Sequence, residues 1–167
     1  MNNTVDAVTL ERFREAYETE LSRHDGIASV QTTFNYAYCL VQQSSKRERE
    51  IEKGIRLLRG LYDLADDDKS RRDYLYYIAI GYCKMGYFEE AIRYADRILQ
   101  MEPDNKQALE LKKDISEECN REVQRGSDIT TGLLVLGGAI GSLLMLRSIL
   151  GRSITGVGIE ERDIRGA

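Results

Sequence analysis

Eighteen consecutive residues without a charge, Ile129 to Leu146 (ITTGLLVLGGAIGSLLML), lie in the last quarter of the chain. As an α-helix such a run reaches about 27 Å, close to the roughly 30 Å hydrocarbon core of a bilayer. In lipid a single segment satisfies its own backbone N–H and C=O groups only as a helix. The run therefore predicts a single transmembrane helix, an anchor over residues 129–150, with a tail of residues 151–167 beyond the membrane. Ile129 opens the apolar span, Leu146 closes it, and Arg147 follows at the headgroups. Gly137 and Gly141 stand four apart inside it. Small residues at that spacing let two membrane helices pack closely, which leaves a homo-oligomer through the anchor open.

The residues ahead of this run are enough for one compact domain. The opening MNNTVDAVTLERF has neither a basic n-region nor an apolar h-region, so it does not read as a secretory signal. An apolar span that emerges last from the ribosome inserts after translation, and the domain before it is expected to face the cytosol. Residues 1–128 hold 20 Lys and Arg against 25 Asp and Glu, a net charge of −5. Without a basic face, nucleic acid is not an expected partner.

Little in the sequence supports catalysis. His24 is the one histidine, in a polar stretch after the first helical stripe. No Ser/His/Asp set, phosphate loop or metal-ligand cluster is legible, so no enzyme, cofactor or metal is expected. Cys39, Cys83 and Cys119 are far apart and odd in number. In a cytosol-facing domain they read as reduced, small buried or half-buried apolar residues.

Apolar residues recur at helical spacing through most of the chain, and Pro103 is the sole proline. Six helices are expected before the anchor. The first, residues 6–23, carries Leu10, Phe13, Tyr17 and Leu21 on one stripe and stops at Asp25-Gly26. Thr32 or Thr33 is the expected cap of the second, which runs to about Ser44. The third carries Ile51, Ile55, Leu58 and Tyr62. The fourth spans 71–84, the fifth Phe88 to Met101, and the sixth 105–125, with Ala108, Leu111, Ile115, Cys119 and Val123 on one face. Gly126-Ser127-Asp128 is the expected break before the anchor.

Residues 72–104 fit a tetratricopeptide (TPR) pattern: Leu75, Ile78, Ala79 and Tyr82 on one helix, Gly86 in the turn, Ala91 on the next, Pro103 at the end. Shifted back by 37 residues, Gly54-Ile55 falls on Ala91-Ile92, which marks a weaker first repeat over about 35–68. The expected fold is thus all-α, a six-helix TPR-like superhelical bundle. Residues 1–7 form an arm, residues 8–125 the domain, and helices 6–23 and 105–125 cap the open ends. A generic helical bundle is the alternative. In stacked pairs the first helix of each pair lines the concave side. Repeat geometry aims Tyr36, Cys39, Gln43 and Lys46 into a groove, together with Asp73, Tyr76, Ile80 and Cys83. Such an apolar, tyrosine-rich groove suits a peptide.

FNYAYCLVQ (34–42) and RRDYLYYIAIGYCKMGYFEEAIRYADRIL (71–99) resemble the two repeats of the mitochondrial fission 1 protein family. The passage from Pro103 to Ala108 and the glycine-rich C-terminal span are similar as well. The resemblance implies a tail-anchored, non-enzymatic adaptor on the mitochondrial outer membrane and on peroxisomes. It implies as partners a dynamin-related GTPase or fission adaptor proteins, with the lipid bilayer holding the anchor. It maps groove contacts onto Tyr36, Leu40, Tyr77, Ile78 and Cys83, the last standing where the family carries tyrosine. The alternative is an import receptor or chaperone-docking module of the same repeat class. Carboxylate capture, which chaperone docking needs, finds few basic groups at the groove positions of this chain.

Overall fold

The computed structural model describes residues 5–134, with side chains through Arg125. Six helices succeed one another: α1 (Ala7–Arg23), α2 (Val30–Val41), α3 (Glu48–Leu64), α4 (Asp68–Lys84), α5 (Phe88–Met101) and α6 (Lys106–Leu134). The anchor residues Gly137, Gly141, Leu146 and Arg147 lie outside the described residues, as does the side chain of Ile129. Among the described residues, no helix is long and apolar enough to cross a membrane.

The helix starts follow from short polar side chains that accept otherwise orphaned N–H groups. Asp6 caps α1, taking the Thr9 N–H at 2.8 Å and the Thr9 hydroxyl at 2.7 Å. Ser29, not Thr32 or Thr33, caps α2. Its backbone is extended, and its hydroxyl accepts the Thr32 N–H at 3.2 Å. Both threonines already lie inside the first turn, where a cap cannot sit. Helix α2 also stops at Val41, short of the expected Ser44. Asp67 accepts the Ser70 N–H at 2.8 Å, so the Asp66–Asp68 run starts α4 three residues earlier than the apolar pattern does. Asn105 accepts the Ala108 N–H at 3.0 Å and starts α6.

Gly86 closes α4. Its φ is +78°, and Tyr87 N–H and Gly86 N–H donate to the carbonyls of Tyr82 and Cys83 at 2.9 and 3.0 Å. This is a Schellman closure, which favours glycine at the left-handed position. Gly126-Ser127-Asp128 does not interrupt α6, contrary to expectation. A lone glycine costs a helix only about 1 kcal/mol, and no proline is present to remove a backbone bond.

Helices α2 and α3 pack as one pair and α4 and α5 as the next, with α3 against α4 and α1 against α2. Leu58 and Ile51 from α3, Ile78 from α4 and Ile115 from α6 are all at most 1% exposed. Each such side chain contributes roughly 1.5–3 kcal/mol by leaving water. Small residues set the approach distances. Ala79 and Ala91 are wholly buried within the second pair. Gly54, at the position equivalent to Ala91, faces the Ala37 carbonyl oxygen so closely that a Cβ there would sit 2.9 Å from it.

The ends are covered as the apolar stripes require. Leu10, with Phe13 and Tyr17, packs α1 onto Tyr36, Cys39 and Leu40. Helix α6 buries Ala108, Leu111 and Ile115. Cys119 is half-buried, and Val123, on the same expected stripe, is half exposed.

Candidate partner-binding groove

Helices α2 and α4, the first of each pair, contribute one continuous aromatic face, and α6 borders it. Tyr77 is its hub. Its ring lies 5.1 Å from Tyr38 and 5.4 Å from Tyr76, each at 87°, and 5.7 Å from Phe34 at 65°. All four side chains are half-buried, so their remaining surface faces out. Beside them lies a cleft of about 390 Å³, lined by Phe34, Arg72, Asp73, Tyr76 and Tyr77 and, from α6, by Gln107 and Ala108. Burial holds the Tyr76 and Tyr77 hydroxyls above their usual titration range, so both remain neutral donors.

The lower end of the groove is fixed by charge. Arg72 donates to Asp73 at 3.0 and 2.9 Å and to Glu102 at 3.2 Å, and Asn105 donates to Glu102 at 2.6 Å. This chain ties the start of α4 to the α5–α6 turn. At the upper end Lys84 donates to the Gln42 side chain at 2.8 Å and the Gln43 carbonyl at 3.4 Å. Burial lowers the Lys84 pKa, so its ammonium depends on these oxygens. Gln43 in turn donates to the carbonyls of Cys39 at 3.0 Å and Val5 at 3.5 Å. Of the arm, Val5 and Asp6 thus rest on the α1–α2 end, and residues 1–4 lie outside the described residues.

The structure brings together some of the expected groove residues and separates others. Tyr76 and Tyr77 line the cleft. Ile80 and Cys83, farther along α4, are 6% and 5% exposed. Burial pushes the Cys83 thiol up to about 11, with the Glu118 carboxylate adding to it. Ile78 belongs to the central core. Tyr36, Cys39 and Leu40 are placed under α1 instead of beside Tyr77. The Tyr36 ring lies 5.1 Å from that of Tyr17, tilted by 32°, and the Lys53 ammonium lies 4.9 Å from the Tyr36 ring centre.

Helix α2 has a neighbour on either side, so it carries two buried stripes. Helical period alone does not say which stripe meets α4. The stripe that does is Phe34 and Tyr38, which sequence reasoning missed. A pair of aromatics at i and i+4, matched by Tyr74 and Tyr77 on α4, is the signal that finds it. The Phe34 ring lies 5.7 Å from Tyr74 as well.

Comparison with known proteins follows the same outline. The family described as Fis1 N-terminal tetratricopeptide repeat matches residues 31–63, and Fis1 C-terminal tetratricopeptide repeat matches residues 72–123. The mitochondrial fission 1 protein of Debaryomyces hansenii is 43% identical over 115 residues, 68% of this chain and 72% of that protein. The human protein of the same name is 31% identical over 155 residues, 93% of this chain and 95% of its own length. A crystal structure of yeast Fis1 in complex with an Mdv1 fragment superposes with a TM-score of 0.59 at 30% identity, covering 72% of this chain and 90% of that one. Both repeats and most of the length of these relatives are accounted for, and the chain belongs to the mitochondrial fission 1 protein family.

Proposed function

We propose that this chain is a non-enzymatic adaptor that gathers organelle-fission proteins at a membrane surface. The half-buried aromatic face of Phe34, Tyr38, Tyr76 and Tyr77 is the observation that carries this reading. Rigid aromatic rings on packed helices supply contact area with little ordering cost, which is what a helical or extended partner segment needs. The relative solved with an Mdv1 fragment supports a protein partner at this fold. The uncharged run at 129–146 supports an anchor, and on membership of the mitochondrial fission 1 protein family we propose the mitochondrial outer membrane as its site, peroxisomes as a second, and a dynamin-related GTPase or its adaptor as the recruited partner.

The mechanism is positional. Confinement to a surface raises the effective concentration of whatever the groove holds, so a weak contact suffices. Deleting residues 129–167 is expected to release the tagged protein from mitochondria into the soluble fraction, with the helical circular dichroism of residues 1–128 retained. A truncated protein that still pellets with mitochondria overturns the anchoring. For the groove, Tyr76→Ala with Tyr77→Ala is expected to abolish co-precipitation of a fission adaptor fragment, and undiminished capture overturns it.

A further inference from the structure

The groove is chemically lopsided, and this asymmetry bears on what it holds. Helix α6 is oriented by two contacts. Ala108, Leu111 and Ile115 point into the core, and Lys112 reaches toward α5, where it meets Asp96 at 2.7 Å. At 100° per residue the opposite flank of α6 carries Gln107, Glu110, Asp114 and Glu118. Gln107 lines the cleft beside Tyr76, so the carboxylates that follow it stand along the same wall. The carboxylates of Asp114 and Glu110 also add to the effect of burial on the Tyr76 hydroxyl.

Most charges near the groove are already used. Asp73 is paired with Arg72 at 2.9 Å, Glu118 with Arg121 at 2.7 Å, and Lys84 is held by Gln42 and Gln43. Among the described residues, neither Glu110 nor Asp114 has an ion-pair partner. The facing wall is neutral: on α2 the stripe of Tyr38 continues through Gln31 and Asn35, which bond to each other at 2.9 Å. The aromatic floor therefore has one uncharged edge and one edge with two unpaired negative charges.

We infer that the groove takes an amphipathic helix of the fission adaptor whose apolar face lies on Tyr76 and Tyr77 and whose α6-facing edge carries lysine or arginine, received by Glu110 and Asp114. This rests on the groove being the docking site and adds the charge and orientation of what docks. Apolar contact alone would accept the helix in either direction. A charged edge on one side sets the direction, since reversal places the cations against glutamine and asparagine.

The test uses the full chain in nanodiscs of zwitterionic lipid and two fluorescent helical peptides of about five turns. Both carry the same leucine face, one with lysine along one edge and the other with glutamate there. Anisotropy titration, corrected for empty nanodiscs, is expected to show the lysine peptide binding about threefold to thirtyfold tighter, the range for two partly exposed ion pairs. Glu110→Lys with Asp114→Lys is expected to invert that order; Glu110 is exposed and Asp114 half-buried, and an unchanged helical circular dichroism checks that the variant keeps the fold. If both peptides bind equally and both lose binding in Tyr77→Ala, the charge selectivity is overturned while the groove stands. If neither peptide binds, or binding ignores Tyr77→Ala, the groove reading falls and takes this inference with it.

Discussion

Tyr38 and Tyr77 meet edge to face across the seam between α2 and α4, with ring centroids 5.1 Å apart and planes at 87°. The hydrogen-rich edge of one ring faces the π-cloud of the other, a geometry worth about 0.5–1.5 kcal/mol beyond burial. The same two rings belong to the face offered to a partner. The contact that joins the first repeat to the second is therefore also part of the groove floor, and binding and repeat stacking draw on the same side chains.

Tyr77→Ala removes three ring contacts at once and is expected to cost about 2–3 kcal/mol, somewhat below the loss for a fully buried aromatic. Tyr77→Phe keeps all three rings and is expected to stay within about 0.5 kcal/mol of the parent. Urea denaturation followed by circular dichroism measures both. A Tyr77→Ala protein as stable as the parent would show that the ring cluster does not hold the repeats together.

Two glycines on one helix make a sharper test of packing. A Cβ at Gly54 would lie 2.9 Å from the Ala37 carbonyl oxygen and 2.9 Å from Val41 Cγ2, both in the body of α2. At Gly60, six residues on, a Cβ would meet nothing within 4 Å. Gly60→Ala is expected to stabilise by up to about 1 kcal/mol through helix propensity. Gly54→Ala is expected to destabilise by about 1–3 kcal/mol, because α3 must move off α2. Equal effects of the same sign at the two sites would deny the close approach.

The helices are legible in the sequence because each buries one stripe, and Gly86 and Pro103 punctuate the better repeat. Gly54 can be matched to Ala91 from repeat spacing alone, since a small residue is needed at both crossings. Helix starts are less legible. Asp67 and Ser29 act through side chains outside the apolar pattern, so the stripes of α2 and α4 give no notice of them. The groove is half legible. On α4, Tyr76 follows from the repeat and Tyr77 from the family resemblance, but α2 carries aromatic residues on two sides. Whether Tyr36 or Tyr38 faces α4 depends on where α1 lies, a tertiary fact that no local spacing encodes.

The cysteines should differ in reactivity. Burial pushes the Cys83 thiol up to about 11, so at pH 8 roughly one molecule in a thousand carries the thiolate that alkylating reagents attack. Cys39 is buried as well, and its pKa is also raised by desolvation. Cys119 is partly exposed. Iodoacetamide at pH 8 is expected to label Cys119 first, with Cys83 and Cys39 reacting only after denaturant is added. Peptide mass mapping of a time course reads this directly, and early modification of Cys83 would mean that its end of α4 is open to solvent.

Glu20 clamps the α1–α2 connection from one carboxylate. Oε1 accepts the Thr32 hydroxyl at 2.6 Å, and Oε2 accepts the Ser29 N–H at 2.7 Å. The Thr32 hydroxyl first, and then Ser29, hold the Glu20 pKa below its usual value of 4.5. A carboxylate whose pKa is depressed by folding stabilises the fold above its unfolded value. That stabilisation fades as the pH falls through the folded value, where the unfolded chain binds the proton first. Stability of the parent is therefore expected to drop on acidification from about pH 5. Glu20→Gln cannot titrate, so its stability curve is expected to be flatter over the same window and lower at neutral pH. Denaturant midpoints measured at intervals from pH 6 to pH 3 compare the two proteins, and parallel curves would mean that this clamp adds nothing to holding α1 against α2.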